Sequence, residues 1–140
     1  MPLKIALWRT APNGTELSPE AAEGLKATGH LLESLGHTVV EAAPVLNGEE
    51  LGKANLGRTV PMMELARANN LFNAAAITFE RFLDDQKLDL ILTPTLFRPP
   101  EKLGVLALTA SPEQMNAAVS TFAPLCPLFN QIGAPAMSVP

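Results

Sequence analysis

The chain has 140 residues, enough for one domain and too few for two ordinary ones. Hydrophobic residues make up 47% and charged residues 17%, which excludes a disordered chain and leaves little polar surface to spare. A net charge of −4 without a stripe of Lys and Arg speaks against nucleic acid, and the single cysteine, Cys126, excludes a disulfide framework and a Cys-rich zinc site.

Residues 3–8 read as a short buried strand, followed by the turn cluster Pro12-Asn13-Gly14. Ser18-Pro19-Glu20 then supplies an N-cap, a proline at the first helical position and an acid in the first turn. Ala21, Leu25, Thr28, Leu32 and Leu35 continue a helical stripe until Gly36 stops it. Thr38-Val39-Val40-Glu41 is a second strand, so this stretch is a βαβ unit with two parallel strands.

Residues 47–58 carry Gly48, Gly52 and Gly57 and read as loop with room for one short helix. A second helix starts near Thr59 or Pro61 and keeps Leu65, Ala68, Phe72, Ala75, Phe79 and Phe82 on one face. About 25 residues is long for a globular helix, so a kink or break is expected within residues 68–74. Residues 88–93 form a third strand cut off by Pro94, and residues 97–104 form a loop. Ser111-Pro112-Glu113-Gln114 has capping-box spacing and opens a third helix, which ends by Ala123 because Pro124 and Pro127 follow. Residues 134–139 are a candidate last strand. The expected architecture is a single α/β domain over residues 1–140: a small, mostly parallel or mixed sheet with flanking helices.

Chemistry-bearing residues are sparse. No phosphate loop, dinucleotide fingerprint or nucleophile elbow is present, and no cofactor or metal is expected. The five serines are scattered: Ser18 and Ser111 read as helix caps and Ser34 as solvent-facing. His37 is placed to meet the last carbonyls of the first helix, and Asp84, Asp85 and Asp89 read as a solvated helix end. Cys126, between prolines in an apolar run, reads as a buried and inert thiol. Trp8 reads as core or interface packing. Two segments stand apart. Thr93-Pro94-Thr95 lies at the carboxyl end of a strand, where open α/β sheets bind ligands. Phe129-Asn130-Gln131 opens an apolar stretch to the end of the chain, and a buried amide pair there would hold backbone or line a pocket. Thr93, Thr95, Phe129, Asn130 and Gln131 are therefore the pocket-lining candidates.

These segments also carry a resemblance. Leu3-Lys4-Ile5-Ala6, Leu35-Gly36-His37-Thr38-Val39-Val40-Glu41-Ala42-Ala43-Pro44, Leu88-Asp89-Leu90-Ile91-Leu92-Thr93-Pro94-Thr95, Pro99-Pro100 with Gly104, and the stretch from Phe129 to Pro140 occur together and in order. In that order the chain resembles the C-terminal portion of the amidase signature family of amide hydrolases, and is most similar to bacterial amidases of the 6-aminohexanoate-cyclic-dimer hydrolase type. The resemblance implies a partial amidase signature fold and carbon–nitrogen bond hydrolysis by a Ser–cis-Ser–Lys triad. The parts that carry the triad precede the region matched. The sequence has no adjacent serines and no Gly-Gly-Ser-Ser-Gly stretch, and Lys4, Lys26, Lys53, Lys87 and Lys102 match no catalytic position. No catalytic residue is carried over.

The segment between Pro44 and Leu88 is shorter than in typical family members, and the chain stops where the family continues its sheet. Both departures imply uncovered sheet edges and apolar faces. The expectation is an amidase-related chain, inactive alone, which forms a homo-oligomer or pairs with a complementary amidase half. The alternatives are a non-catalytic interaction module and a small-ligand binder at Thr93–Thr95. No apolar run reaches the ~20 residues of a membrane span. Residues 1–8 lack signal-peptide order, so the expected location is the cytoplasm, with no membrane partner.

Overall fold

The computed structural model describes residues 1–54, 62–104 and 111–139. At its centre is strand β1 (Lys4–Leu7), flanked by β2 (Thr38–Glu41) and β3 (Leu90–Leu92) in the order β2-β1-β3. Both pairings are parallel, with Ile5 opposite Val39 on one side and Leu90 on the other. The fold is α/β: a small, open, parallel sheet with flanking helices. Ile5 and Ala6, successive residues on opposite faces, are both buried. That is why the first strand is continuously apolar rather than alternating.

Helix α1 (Pro19–Ser34) links β1 to β2, as the βαβ reading predicts. It starts where expected: Ser18 Oγ accepts the Ala21 N–H at 3.3 Å. It lies close on the sheet through Gly29, where a Cβ would meet Leu7 Cδ1 at 3.0 Å. Leu25, one turn earlier, is buried, an effect of roughly 1.5–3 kcal/mol for such a side chain. Gly36 (φ +88°) then closes the helix, with the His37 N–H donating to the Leu32 carbonyl at 3.1 Å.

Helix α2 (Gly48–Ala54) is the short helix for which the glycine-rich stretch left room. The expected start of the next helix, at Thr59 or Pro61, lies outside the described residues. Helix α3 (Met62–Gln86) runs for 25 residues without a break. The expected interruption at residues 68–74 is therefore corrected. Nothing from 62 to 86 is Gly or Pro, and Asn69, Asn70 and Asn73 have only modest propensity costs, too small to break a helix held by packing. Of its apolar stripe Ala75 and Phe79 are buried, whereas Leu65 is exposed. The helix ends with Lys87 in the left-handed region (φ 52°), a position glycine usually fills.

Helix α4 (Pro112–Phe122) begins with the expected capping box: Ser111 Oγ accepts the Gln114 N–H at 3.2 Å and Gln114 Oε1 accepts the Ser111 N–H at 3.0 Å. It ends before Ala123, as the prolines require. A fifth helix, α5 (Cys126–Ile132), was not expected. Its signals are nonetheless local: Pro127 in the first turn and Gly133 at the left-handed cap (φ 68°). Residues 134–139 contain no strand, which corrects that expectation.

The main core lies on the face opposite α1. Trp8, 1% exposed, packs there with Ala75, Phe79, Phe97, Leu125 and Leu128. Phe129 meets Trp8 and Phe79 edge-on, with ring centroids 6.3 and 5.9 Å apart. Each such pair adds about 0.5–1.5 kcal/mol beyond burial. Trp8 thus has the core role expected of it, and its Nε1 donates to the Thr10 carbonyl at 2.6 Å.

Candidate functional site

Three loops leave the carboxyl ends of the strands. Thr93-Pro94-Thr95 follows β3, and proline there stops the ladder by removing a donor. Thr93 is half-buried and Thr95 is exposed. Thr95 Oγ1 comes within 3.5 Å of Ser138 Oγ, at the long end of hydroxyl–hydroxyl reach, across 43 positions of sequence. The Thr95 carbonyl accepts from Cys126 Sγ at 3.4 Å. The thiol is thus exposed at the start of α5, not buried as expected. Pro127 turns the chain into a helix there and sends the neighbours Leu125 and Leu128, but not Cys126, into the core.

The candidates at 129–131 separate because they lie on a helix, whose successive residues point about 100° apart. Phe129 packs in the core. Asn130 is exposed and Gln131 half-buried, so the expected buried amide pair does not exist. Gln131 lines a cavity of about 80 Å³ together with Asn13, Asn116 and Ser120, on an apolar wall that includes Pro124, Pro127 and Leu128. Thr93, Thr95, Phe129 and Asn130 do not line it. Sequence reasoning missed Asn116, which lines the cavity three residues before Val119 and four before Ser120 on α4. That helical spacing was the available signal.

The cavity walls are tied together. Asn13 Nδ2 donates to the Ser120 carbonyl at 2.9 Å, and Asn13 Oδ1 accepts the Thr15 N–H at 3.1 Å. At the start of α2, a Cβ on Gly48 would fall 2.3 Å from Asn13 N. Glycine is required there by the close approach of two backbones, not by a positive φ. A second cavity of about 130 Å³, between α2 and α3, is lined mainly by apolar side chains such as Val45, Leu46 and Leu71.

The other titratable candidates have structural work. His37 Nδ1 accepts the Leu3 N–H at 3.1 Å, so its ring meets β1 rather than the carbonyls of α1. Asp89 Oδ2 accepts the Lys4 N–H at 2.7 Å, and Lys4 Nζ donates to the Gln86 carbonyl at 2.6 Å. A cation at the carboxyl end of α3 offsets the unfavourable acids nearby. Ser18 and Ser111 cap helices, and Ser34 and Ser120 donate to carbonyls one turn back. Glu20 and Glu113 sit below the ordinary carboxylate range, held first by their own backbone N–H groups and then by the hydroxyls of Ser18 and Ser111. Among the described residues, no serine or cysteine is hydrogen-bonded to a histidine or lysine, the pairing an activated nucleophile needs. Among the same residues, no group of His, Cys, Asp and Glu could hold a metal ion, and no helix is long and apolar enough to cross a membrane. No family model, curated protein or solved structure matches the chain.

Proposed function

We propose that this chain is a non-catalytic part of an amidase-signature hydrolase, which contributes to carbon–nitrogen bond hydrolysis together with a complementary half bearing the Ser–cis-Ser–Lys residues. The observation that supports this reading is the meeting of Thr95 and Ser138 at the carboxyl end of β3. Two of the segments that carry the resemblance, remote in sequence, meet near the carboxyl end of an open parallel sheet, the end at which such sheets bind ligands. Ser18 and Ser111 are engaged as caps, Ser34, Ser120 and Cys126 by carbonyls and Ser138 by the Thr95 hydroxyl, which supports a chain that does not hydrolyse amides alone.

The test is an assay on short chromogenic amides. The chain by itself turns over none of them. Co-expression with an amidase N-terminal half carrying the Gly/Ser-rich signature restores hydrolysis, and replacing the signature serine removes it. Turnover by the chain alone, or no gain from the added half, overturns the reading.

Self-association is a second reading, supported by β3. Leu90 is 52% exposed on a strand that pairs with β1 alone among the described residues. Light scattering on the purified chain decides it, and a monomer at high concentration sinks it.

A further inference from the structure

The cavity between the Pro12-Asn13 turn, α2, α4 and α5 is lined by neither Thr95 nor Ser138, and its lining points to a ligand chemistry. We propose that it binds a small uncharged molecule carrying vicinal hydroxyls, a short polyol.

Size sets the first limit. About 80 Å³ is several times what one water needs, so the space takes a small molecule rather than a single water. Charge sets the second. Among the described residues, no Lys, Arg, Asp or Glu lines the wall. An ionic ligand would give up its water without gaining a counter-charge, a cost that a neutral one avoids.

Hydrogen-bonding capacity sets the third. Asn13 is already engaged through both ends of its amide. Asn116 and Gln131, from two different helices, carry no hydrogen bond to the described residues and face the same space. Each carboxamide presents a donor and an acceptor side by side. A pair of adjacent hydroxyls, each donating and accepting at one atom, engages both at once. Pro124 and Pro127 complete the site with aliphatic surface for the C–H side of such a molecule. The walls are held before any ligand arrives, by the Asn13–Ser120 bond and the Gly48 contact, so little ordering cost falls on binding.

The experiment is a titration of the ¹⁵N-labelled chain with glycerol, read at the side-chain NH₂ signals of Asn116 and Gln131. A saturable shift of both pairs is expected. Asn116→Leu and Gln131→Leu each weaken binding about tenfold, the loss of one such hydrogen bond. Asn130→Ala, next in sequence but outside the cavity, leaves binding unchanged. Neither Asn116 nor Gln131 is buried, so their variants keep the wild-type melting temperature, which separates lost binding from lost fold. Shifts that never saturate, or equal binding by all variants, overturn the proposal. Tighter binding of glycerate or acetamide overturns the assignment to a neutral polyol.

Discussion

At the amino end of the sheet, the Leu3 N–H just before β1 donates to His37 and the Lys4 N–H donates to Asp89, so the residues that lead into both flanking strands satisfy the start of the central one. At the carboxyl end the connections run outward instead, and Thr95, Asn116 and Gln131 lie at the surface or beside a cavity. Both ends carry polar side chains, but they use them differently. At the amino end the side chains replace hydrogen bonds that the ladder cannot supply at its first residues. At the carboxyl end Asn13 still holds backbone, but caps and apolar packing hold the rest, which leaves the amides of Asn116 and Gln131 without a partner among the described residues. A histidine or aspartate at the first end is therefore weak evidence for chemistry, and an amide at the second is better evidence for binding.

Substitutions test this contrast, and the largest effect belongs to the packing. Trp8→Ala removes the ring that Phe129 meets edge-on and costs about 3–5 kcal/mol. That is a large share of the total stability of a domain this size. Urea unfolding measures it, and a loss below about 1 kcal/mol would mean that the carboxyl end does not rest on this core.

Asp89→Ala comes next. It leaves the Lys4 N–H without its carboxylate acceptor, at an exposed position that water reaches. The expected loss is about 1 kcal/mol, below the usual range for bonds to charged groups because the site is exposed. A neutral outcome in the same urea measurement would show that the joint between the start of β1 and the entry to β3 is held by the backbone bond from Asp89 N–H to the Lys4 carbonyl.

Lys87→Gly runs in the opposite direction. Gly36 closes α1 in the left-handed region, but Lys87 closes α3 there with a Cβ that this conformation disfavours. Glycine relieves that strain and stabilises by about 0.5–1 kcal/mol net of its greater chain entropy. A lower melting temperature for this variant would show that the Lys87 side chain contributes more than its backbone costs.

The smallest effect is a pH dependence at the helix starts. The carboxyls of Glu20 and Glu113 are held below their unfolded range. Their contribution is therefore present above the unfolded carboxylate pKa, about 4.3, and is lost as pH falls through the lower folded values. Replacing both Ser18 and Ser111 by Ala removes one cause of each shift along with the caps. The stability gap between wild type and this double variant is expected to narrow between pH 6 and pH 3. An unchanged gap would mean that the serines act as caps alone.

Much of the architecture was legible in the residues because its signals are local. Ser-Pro-Glu opens α1 and α4, Gly36 closes α1, and Thr38–Glu41 pairs in parallel with β1 as a βαβ unit requires. Helix α5 was missed although Pro127 and Gly133 mark both its ends, because the prolines were read as terminators and not also as a first turn. The break foreseen in α3 came from length alone, with no Gly or Pro to cause it.

By itself the sequence determined an α/β chain with a parallel βαβ core, the helix starts, and the scarcity of nucleophiles beside bases. Tertiary structure alone decided that β1 lies between β2 and β3, that Cys126 faces out while Leu125 and Leu128 face in, and that Gln131 shares a cavity with Asn116. Caps and strand periods depend on residues a few positions apart. Strand order and the company of a side chain depend on residues far apart in the chain, which meet only when apolar faces choose their partners.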